Sequence, residues 1–433
     1  MNRPSAVWKK RTLLFMTSQA ISLFGSSLVS YAILWRITLD TQSGFMMTIY
    51  ILFGFLPTLF LSPFAGVWAD RYDRKRLIIL ADGLIACATL ILALFFLAGY
   101  KDLWLFFVIP FIRALGQAVQ TPAVNALLPQ IVPEDRLMKT NGLFSSLNSA
   151  IMLISPMVSG ALLSLTSLEL ILMIDVVTAI AAILVMITLN VPSHVRSEAN
   201  KKQRYWQDLV AGVQYIRRHE YIGRFFIYIT ILFFMVTPVA MLTPLQVTRS
   251  FGDDIWRLTA IEVVFSSGML VGGLLIASWG GFRNRIKTMA FSTLMVGVTT
   301  LLLGVVPNFW IYLGIMAITG LTLPFYNTPA TVLLQEKVEP DYLGRVFGVM
   351  GMIASGVMPT AMFIFGPLAD RIRIEWLLVG SGILLTLLAG GLATNKILVK
   401  AGEPAPHAGA DLPVRQPMRI RTECPADQPD CQL

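Results

Sequence analysis

Residues 66–79 read GVWADRYDRKRLII, and the seven residues from Asp70 to Arg76 inside them carry six charges. On either side the chain is almost wholly apolar, from Phe45 to Ala69 and from Leu77 to Ala98. A charged knot between two such runs fits a loop at a membrane surface with a spanning helix on each side.

The composition agrees. Only 14% of the 433 residues are charged and 55% are hydrophobic, about half the charged share of soluble domains. A mean hydropathy of +0.69, spread over the whole chain, excludes a water-soluble globule. Lys9, Lys10 and Arg11 lead straight into a full-length apolar run, so no removable leader is expected. Three cysteines are too few for a disulfide framework. Cys87 reads as a packing residue, and Cys424 and Cys431 have no histidine near them in the polar tail, so no metal site is expected.

A helix needs about 20 apolar residues to cross about 30 Å of hydrocarbon. Twelve runs qualify, near 12–35, 45–69, 77–99, 103–128, 140–165, 168–190, 222–246, 258–280, 287–306, 309–335, 342–366 and 374–395. Of the 34 Lys and Arg residues, 27 fall in the N-terminus, the alternate loops and the C-terminal tail; six fall in the other loops, and Arg113 lies within a span. The positive-inside rule then places both termini and the 66–79 loop in the cytoplasm, the natural setting being a bacterial inner membrane. The formal charge of +9 thus reports topology rather than nucleic-acid binding.

The expected organisation is an N-terminal six-helix bundle over 1–190, a linker over 191–221, a C-terminal six-helix bundle over 222–395 and a disordered cytoplasmic tail over 396–433. In the linker, Trp206, Leu209, Val210, Val213 and Ile216 share one helical face, the pattern of a helix in the headgroup plane. The halves echo one another. TPAVNALLPQIVPED begins at Thr121 and TPATVLLQEKVEPD at Thr328, 207 residues later, and each places a proline and an acid at the same distance downstream. The following spans carry Pro156 then Gly160, and Pro359 then Gly366. Two pseudo-symmetric six-helix bundles with a substrate site between them at mid-membrane is a transporter architecture.

Residues 8–395 resemble the major facilitator superfamily. Gly66, Ala69, Asp70, Arg71, Arg74 and Lys75 are similar to that family's loop 2–3 signature, with Trp68 for its leucine and Asp73 for its second glycine. FIRALGQAVQ resembles its fourth-helix motif. ISPMVSGALL is a degraded form of the fifth-helix antiporter motif that keeps Pro156 and Gly160. GFLPTLFLSPFAGVWADRYDRKR and PFYNTPATVLLQEKVEPDYLGRVF are similar to the macrolide-efflux branch; siderophore exporters share parts of the pattern. The resemblance implies that the 66–79 loop controls the inside-closed state. Asp70 would dock on the start of the eleventh span, near Asp341–Arg345, with Arg74 bridging. A carboxylate at a helix N-terminus gains about 0.3–2 kcal/mol, enough to bias states a few kcal/mol apart. The alternative is that Arg71, Arg74, Lys75 and Arg76 only enforce topology and touch anionic lipid. The same letters recur as GPLADR over 366–371, which the topology puts on the outside and to which no gating role is assigned.

An ionisable group at bilayer depth costs about 2.5 kcal/mol or more and points to function. Arg113 sits about ten residues into the fourth span, near mid-membrane at about 1.5 Å per residue. Gln117 and Gln120 follow on the same face, a stripe suited to lining a substrate cavity; the alternative is a structural arginine held by backbone carbonyls. Glu262 in the eighth span is the preferred proton carrier and Asp175 in the sixth the second. Asp82 reads as a structural acid. His194, His219 and His407 all lie outside the spans, so no histidine relay is expected. Tyr31, Asn148, Gln246, Tyr326 and Asn327, with Phe24, Phe111 and Phe233, are expected to furnish a mostly apolar cavity with few polar anchors.

No Gly-Lys dipeptide occurs, so there is no phosphate-binding loop with its lysine. An ATPase or outer-membrane partner would be a separate subunit and is not required. No catalytic residue or cofactor is expected. The reading is a monomeric, proton-coupled exporter of amphipathic small molecules, by resemblance macrolide-type antibiotics, with siderophores or lipophilic metabolites as the alternative cargo. A tenfold proton gradient supplies about 1.4 kcal/mol and a charge crossing 100 mV about 2.3 kcal/mol.

Overall fold

In the computed structural model helices follow one another with short turns, and the structure describes residues 4–191 and 205–403. The first half comprises α1 (Pro4–Thr41), α2 (Gly44–Arg71), α3 (Arg74–Leu97), α4 (Leu105–Ile131), α5 (Glu134–Leu165) and α6 (Leu168–Thr188). The linker holds α7 (Tyr205–Arg218). The second half comprises α8 (Glu220–Met241), α9 (Thr243–Phe251), α10 (Ile255–Trp279), α11 (Arg285–Leu303), α12 (Phe309–Thr322), α13 (Pro324–Lys337), α14 (Pro340–Arg371) and α15 (Ile374–Thr394), with a short α16 (Lys396–Ala401). Pro244 and Pro324 open second segments of two spans, α8 with α9 and α12 with α13, because proline cannot donate to the preceding turn.

Eleven helices or helix pairs among the described residues are long and apolar enough to cross a membrane. The sequence reading counts twelve; the difference is α4. Its 27 residues reach about 40 Å at 1.5 Å per residue, but Arg113, Gln117, Gln120 and three internal prolines dilute its apolar character.

The helix ends define two faces. The basic face carries Lys9–Arg11, the Tyr72–Asp73 turn and α7; the far face carries the turn before Gly44 and the turn after Arg371. The knot of charge that opens the sequence caps helix ends. Asp73 accepts from the Arg76 backbone N–H at 3.1 Å and starts α3. Arg74 donates to the carbonyls of Ala69 (3.0 Å) and Ala126 (2.8 Å). Lys75 donates to those of Ile187 and Leu189, both at 2.8 Å. Carbonyls in a last helical turn lack intrahelical partners, and at Ala69, Ile187 and Leu189 these cations supply them, while the Ala126 bond ties α3 to α4.

The halves meet mainly through α2 on α14 and α5 on α10. These contacts are tight at the far face. A side chain at Gly160 would overlap Thr259, and one at Gly44 or Gly366 would overlap the facing helix. Thr48 donates across the seam to the Met362 carbonyl at 3.1 Å. One apolar cluster is shared there, joining Trp35 and Met47 to Leu242, Leu258 and Met362. Toward the basic face each half has its own core instead, around Phe15, Ile78, Leu127 and Met186 in the first and Phe225, Leu333, Val346 and Leu398 in the second. Gln117, Asn125, Ser145, Ser149, Asn327 and Gln335 are exposed on this side, and polar groups of that kind require water. The molecule is therefore closed at the far face and cleft open toward the basic face.

Two local expectations change. The chain does not lose structure at Lys396: Asn395 caps α16, Leu398 is fully buried, and Asn284 donates to the Val399 carbonyl at 2.7 Å. The rest of the tail, including His407, Cys424 and Cys431, lies outside the described residues, as do His194 and the side chains of Trp206 and Leu209. Of the remaining linker positions Val210 and Val213 are exposed, whereas Tyr215 and Ile216 pack into the second half. Tyr215 stacks on Tyr342 at 4.5 Å between ring centres, which pins α7 to the start of α14.

Gly160→Leu is expected to wedge α5 from α10 and open the far mouth. A Ser30→Cys reporter in a chain lacking its native cysteines should then react several-fold faster with an impermeant maleimide from the far side. An unchanged rate would show that this contact does not close the mouth.

Candidate functional site

Small hydroxyl residues along α1 (Ser22, Ser26, Ser27, Ser30) let polar side chains of α3, α4 and α6 converge behind them. Arg113 reaches from α4 to Asp175 on α6 and Thr89 on α3 in a short-bonded cluster. Its second amino group donates to the Ser26 carbonyl at 3.3 Å. Thr89 donates at 2.9 Å to the same Asp175 oxygen that Arg113 binds, and Asp175 is 1% exposed. The sequence places these two charges in separate roles; the fold makes them one buried ion pair. An unpaired charge here would be prohibitive, while a hydrogen-bonded pair is tolerable.

A second carboxylate lies one level closer to the basic face. Asp82 on α3, also 1% exposed, accepts from Ser22 at 2.7 Å and from Gln120 at 2.6 Å. Its other oxygen finds no hydrogen-bond partner among the described residues. The sequence reading passes over Asp82 as structural; the available signal was Gln120, seven residues from Arg113 on the same stripe. Of that stripe Arg113 and Gln120 are buried and held by acids, and Gln117 is exposed. All three line one cavity of about 510 Å³ with Ser30, Tyr31 and Tyr50, and Pro359 of α14 lines it from the other half.

The second half presents a different wall. Tyr326 and Asn327 on α13, Phe233 on α8, Phe265 on α10 and Met358 on α14 line an apolar cavity of about 250 Å³. Met358 and Pro359 are consecutive on α14, so that helix borders both cavities. Glu262 on α10 is half-buried and within electrostatic reach of Tyr31 on α1. Thr259, one turn earlier on the same face, is the residue that packs on Gly160. Glu262 thus stands where the far-side closure ends and the cleft begins, and no hydrogen bond to its carboxylate is found among the described residues.

Other expected cavity residues fall elsewhere. Gln246 is 2% exposed and locked, donating to the Leu303 carbonyl and accepting from the Tyr312 hydroxyl, both at 2.8 Å. Burial and these two bonds keep its amide out of the cleft, α9 having turned after the Pro244 break. Asn148 is half-buried on α5 and lines neither cavity. Among the gating residues, Pro156 is buried on α5 one turn before Gly160. Gly66 has open space around it, Arg71 is exposed, and Arg74 and Lys75 are bonded within the first half. Arg345 lies over the Tyr342 ring at 5.3 Å. The side chains of Asp70, Pro340 and Asp341 lie outside the described residues, and so does the contact expected between them.

The sequence profile of the Major Facilitator Superfamily matches residues 15–362. The chain belongs to that superfamily. Its curated relatives include macrolide efflux protein A of Streptococcus pyogenes, 34% identical over 386 residues, covering 88% of this chain and 95% of the relative. The protein of that name from Enterococcus faecalis is 35% identical over 315 residues, covering 72% and 97%. Among solved structures, a mutant of the nucleoside transporter NupG superposes with a TM-score of 0.68 at 14% identity, over 88% of this chain and 99% of that one; at that identity the likeness concerns the fold. This superfamily member is a membrane transporter and not an enzyme.

Arg113→Ala should leave Asp175 buried without its cation and destabilise the protein by about 3–5 kcal/mol, whereas the apolar double replacement Arg113→Met with Asp175→Leu should recover most of that. Thermal unfolding in detergent measures both. Equal losses in the single and double variants would show that the pair is not coupled.

Proposed function

We propose that this superfamily member is a proton-coupled exporter of amphipathic, macrolide-type molecules working by alternating access, in a bacterial inner membrane with both termini cytoplasmic. The observation that supports it best is the two-sided cleft. One wall is polar and carries Arg113 and Gln117; the other is apolar and carries Phe233, Phe265 and Met358. An amphipathic molecule can lay one face on each, and few convergent polar groups in a mostly apolar site is how orientation is fixed without narrow selectivity. The relatives named macrolide efflux protein A favour that cargo and the outward direction.

The basic face is then cytoplasmic by its charge, and the structure stands in the inward-facing state. Residues 1–190 and 222–395 act as the two moving bodies and 191–221 as the linker. Glu262, at the boundary of the closed region, is the preferred proton carrier. Asp175 is the second: protonating it would release Arg113 toward the cleft, coupling proton occupancy to the polar wall. Membrane lipid surrounds a monomer.

Labelled erythromycin efflux from pump-deficient bacteria expressing the chain should collapse on adding a protonophore. Glu262→Gln should lose protonophore-sensitive efflux by about tenfold or more, as loss of a coupling step of ~1.4 kcal/mol or larger requires, while keeping erythromycin exchange. No efflux from well-inserted protein would overturn the macrolide assignment and turn the search to siderophores or lipophilic metabolites. Full proton-driven efflux by Glu262→Gln would remove that residue from coupling.

A further inference from the structure

The hexapeptide G-x-x-A-D-R occurs twice, as GVWADR over 66–71 and GPLADR over 366–371. The first copy ends α2 and the second ends α14, each helix stopping at the arginine. The two helices run in opposite directions through the membrane and pack on one another. Each Asp-Arg terminus is therefore on the same face of the membrane as the N-terminus of the other helix.

At the far face the pair is made. The Asp370 carboxylate accepts from the backbone N–H of Gly44 at 2.7 Å and of Phe45 at 2.9 Å, and from the Ser43 hydroxyl at 2.7 Å. These are the unpaired donors that open α2, so a side chain of the second half caps a helix of the first. Arg249 at the end of α9 pairs with Asp370 at 2.8 Å, donates to the Ala369 carbonyl at 2.6 Å and also bonds the Gln42 carbonyl. Gly366 lets the backbones touch: a side chain there would overlap Thr48 and the Gly44 carbonyl. Ala369 is 2% exposed in the cluster that both halves share. Every shared letter but the terminal arginine is engaged across the seam.

At the basic face the corresponding glycine, Gly66, has nothing within 4 Å of where a side chain would stand. Ala69 is buried in the core of its own half only. The copy that the sequence reading dismissed is the one in use.

We propose that the second hexapeptide is a latch on the far mouth. Asp370 with Arg249 holds that mouth shut in this state and must release α2 for it to open, the far-face counterpart of the role that the family resemblance implies for Gly66–Arg71. Asp370 is a positioning residue: it touches no cargo and acts by setting which mouth is open. The proposal rests on the two-state reading of the transporter but on neither its cargo nor its coupling ion.

The test reads accessibility rather than transport, in full-length chain in native membranes, with the Ser30→Cys reporter labelled from the far side. Asp370→Asn, which weakens charge-assisted bonds to four donors, should raise the far-side labelling rate about tenfold. Arg249→Gln should raise it less, since the helix cap survives. Asp70→Asn should lower it, and the Asp70→Asn, Asp370→Asn pair should fall between the two singles. If Asp370→Asn fails to insert, Ser43→Ala and Arg249→Gln carry the same sign. An unchanged rate in Asp370→Asn, or shifts of the same sign at Asp70 and Asp370, would overturn the latch. Erythromycin efflux by the unmodified chain is a separate readout, so loss of the macrolide reading and loss of the latch remain distinguishable.

Discussion

A charge in hydrocarbon must find a partner or water, and the charges near the seam of this molecule do one or the other. Arg113 takes Asp175, Asp82 takes Ser22 and Gln120, and Arg249 takes Asp370. The loop cations Arg74 and Lys75 take helix-end carbonyls. Each pairing fixes a helix against its neighbour, so the cost of burying charge becomes the geometry of the bundle. Glu262 differs. It has a tyrosine for company and stands one turn from the Thr259 contact that closes the seam.

The same constraint separates rigid from movable contacts. Within each half, apolar clusters and buried polar pairs interlock, and breaking one costs several kcal/mol. Between the halves at the far face the bonds are few and end in polar groups that water can replace, as at Asp370, or in glycine contacts such as Gly160 with Thr259 that depend on shape. Contacts whose loss is cheap are the ones a two-state machine can spare.

Much of this was legible in the sequence. The length and spacing of the apolar runs determine the spans, and the charge knot at 66–79 marks a helix–helix turn. Arg113, Gln117, Gln120 and Tyr31 do line one cavity. What escaped was partnership. Arg113 and Asp175 are 62 residues apart, and no local pattern joins them. Gln246 reads as a cavity amide until the Pro244 break turns it toward Leu303 and Tyr312. GPLADR was visible but judged by its side of the membrane alone; that its helix runs antiparallel to α2, and so brings Asp370 to the donors at Gly44 and Phe45, is a fact of tertiary packing. Even α4 shows the limit, since the polar residues that line the cavity also weaken its signature as a span.

Alternating access requires the cleft to open at one face only as it closes at the other. A pair of spin-label distances reads this directly, one between Arg136 and Gln335 at the basic face and one between Tyr100 and Trp310 at the far face, all exposed positions, taken with and without erythromycin and across a proton gradient. The two distances should change in opposite directions, the basic-side pair shortening as the far-side pair lengthens. Distances that stay fixed, or that lengthen together, would contradict it.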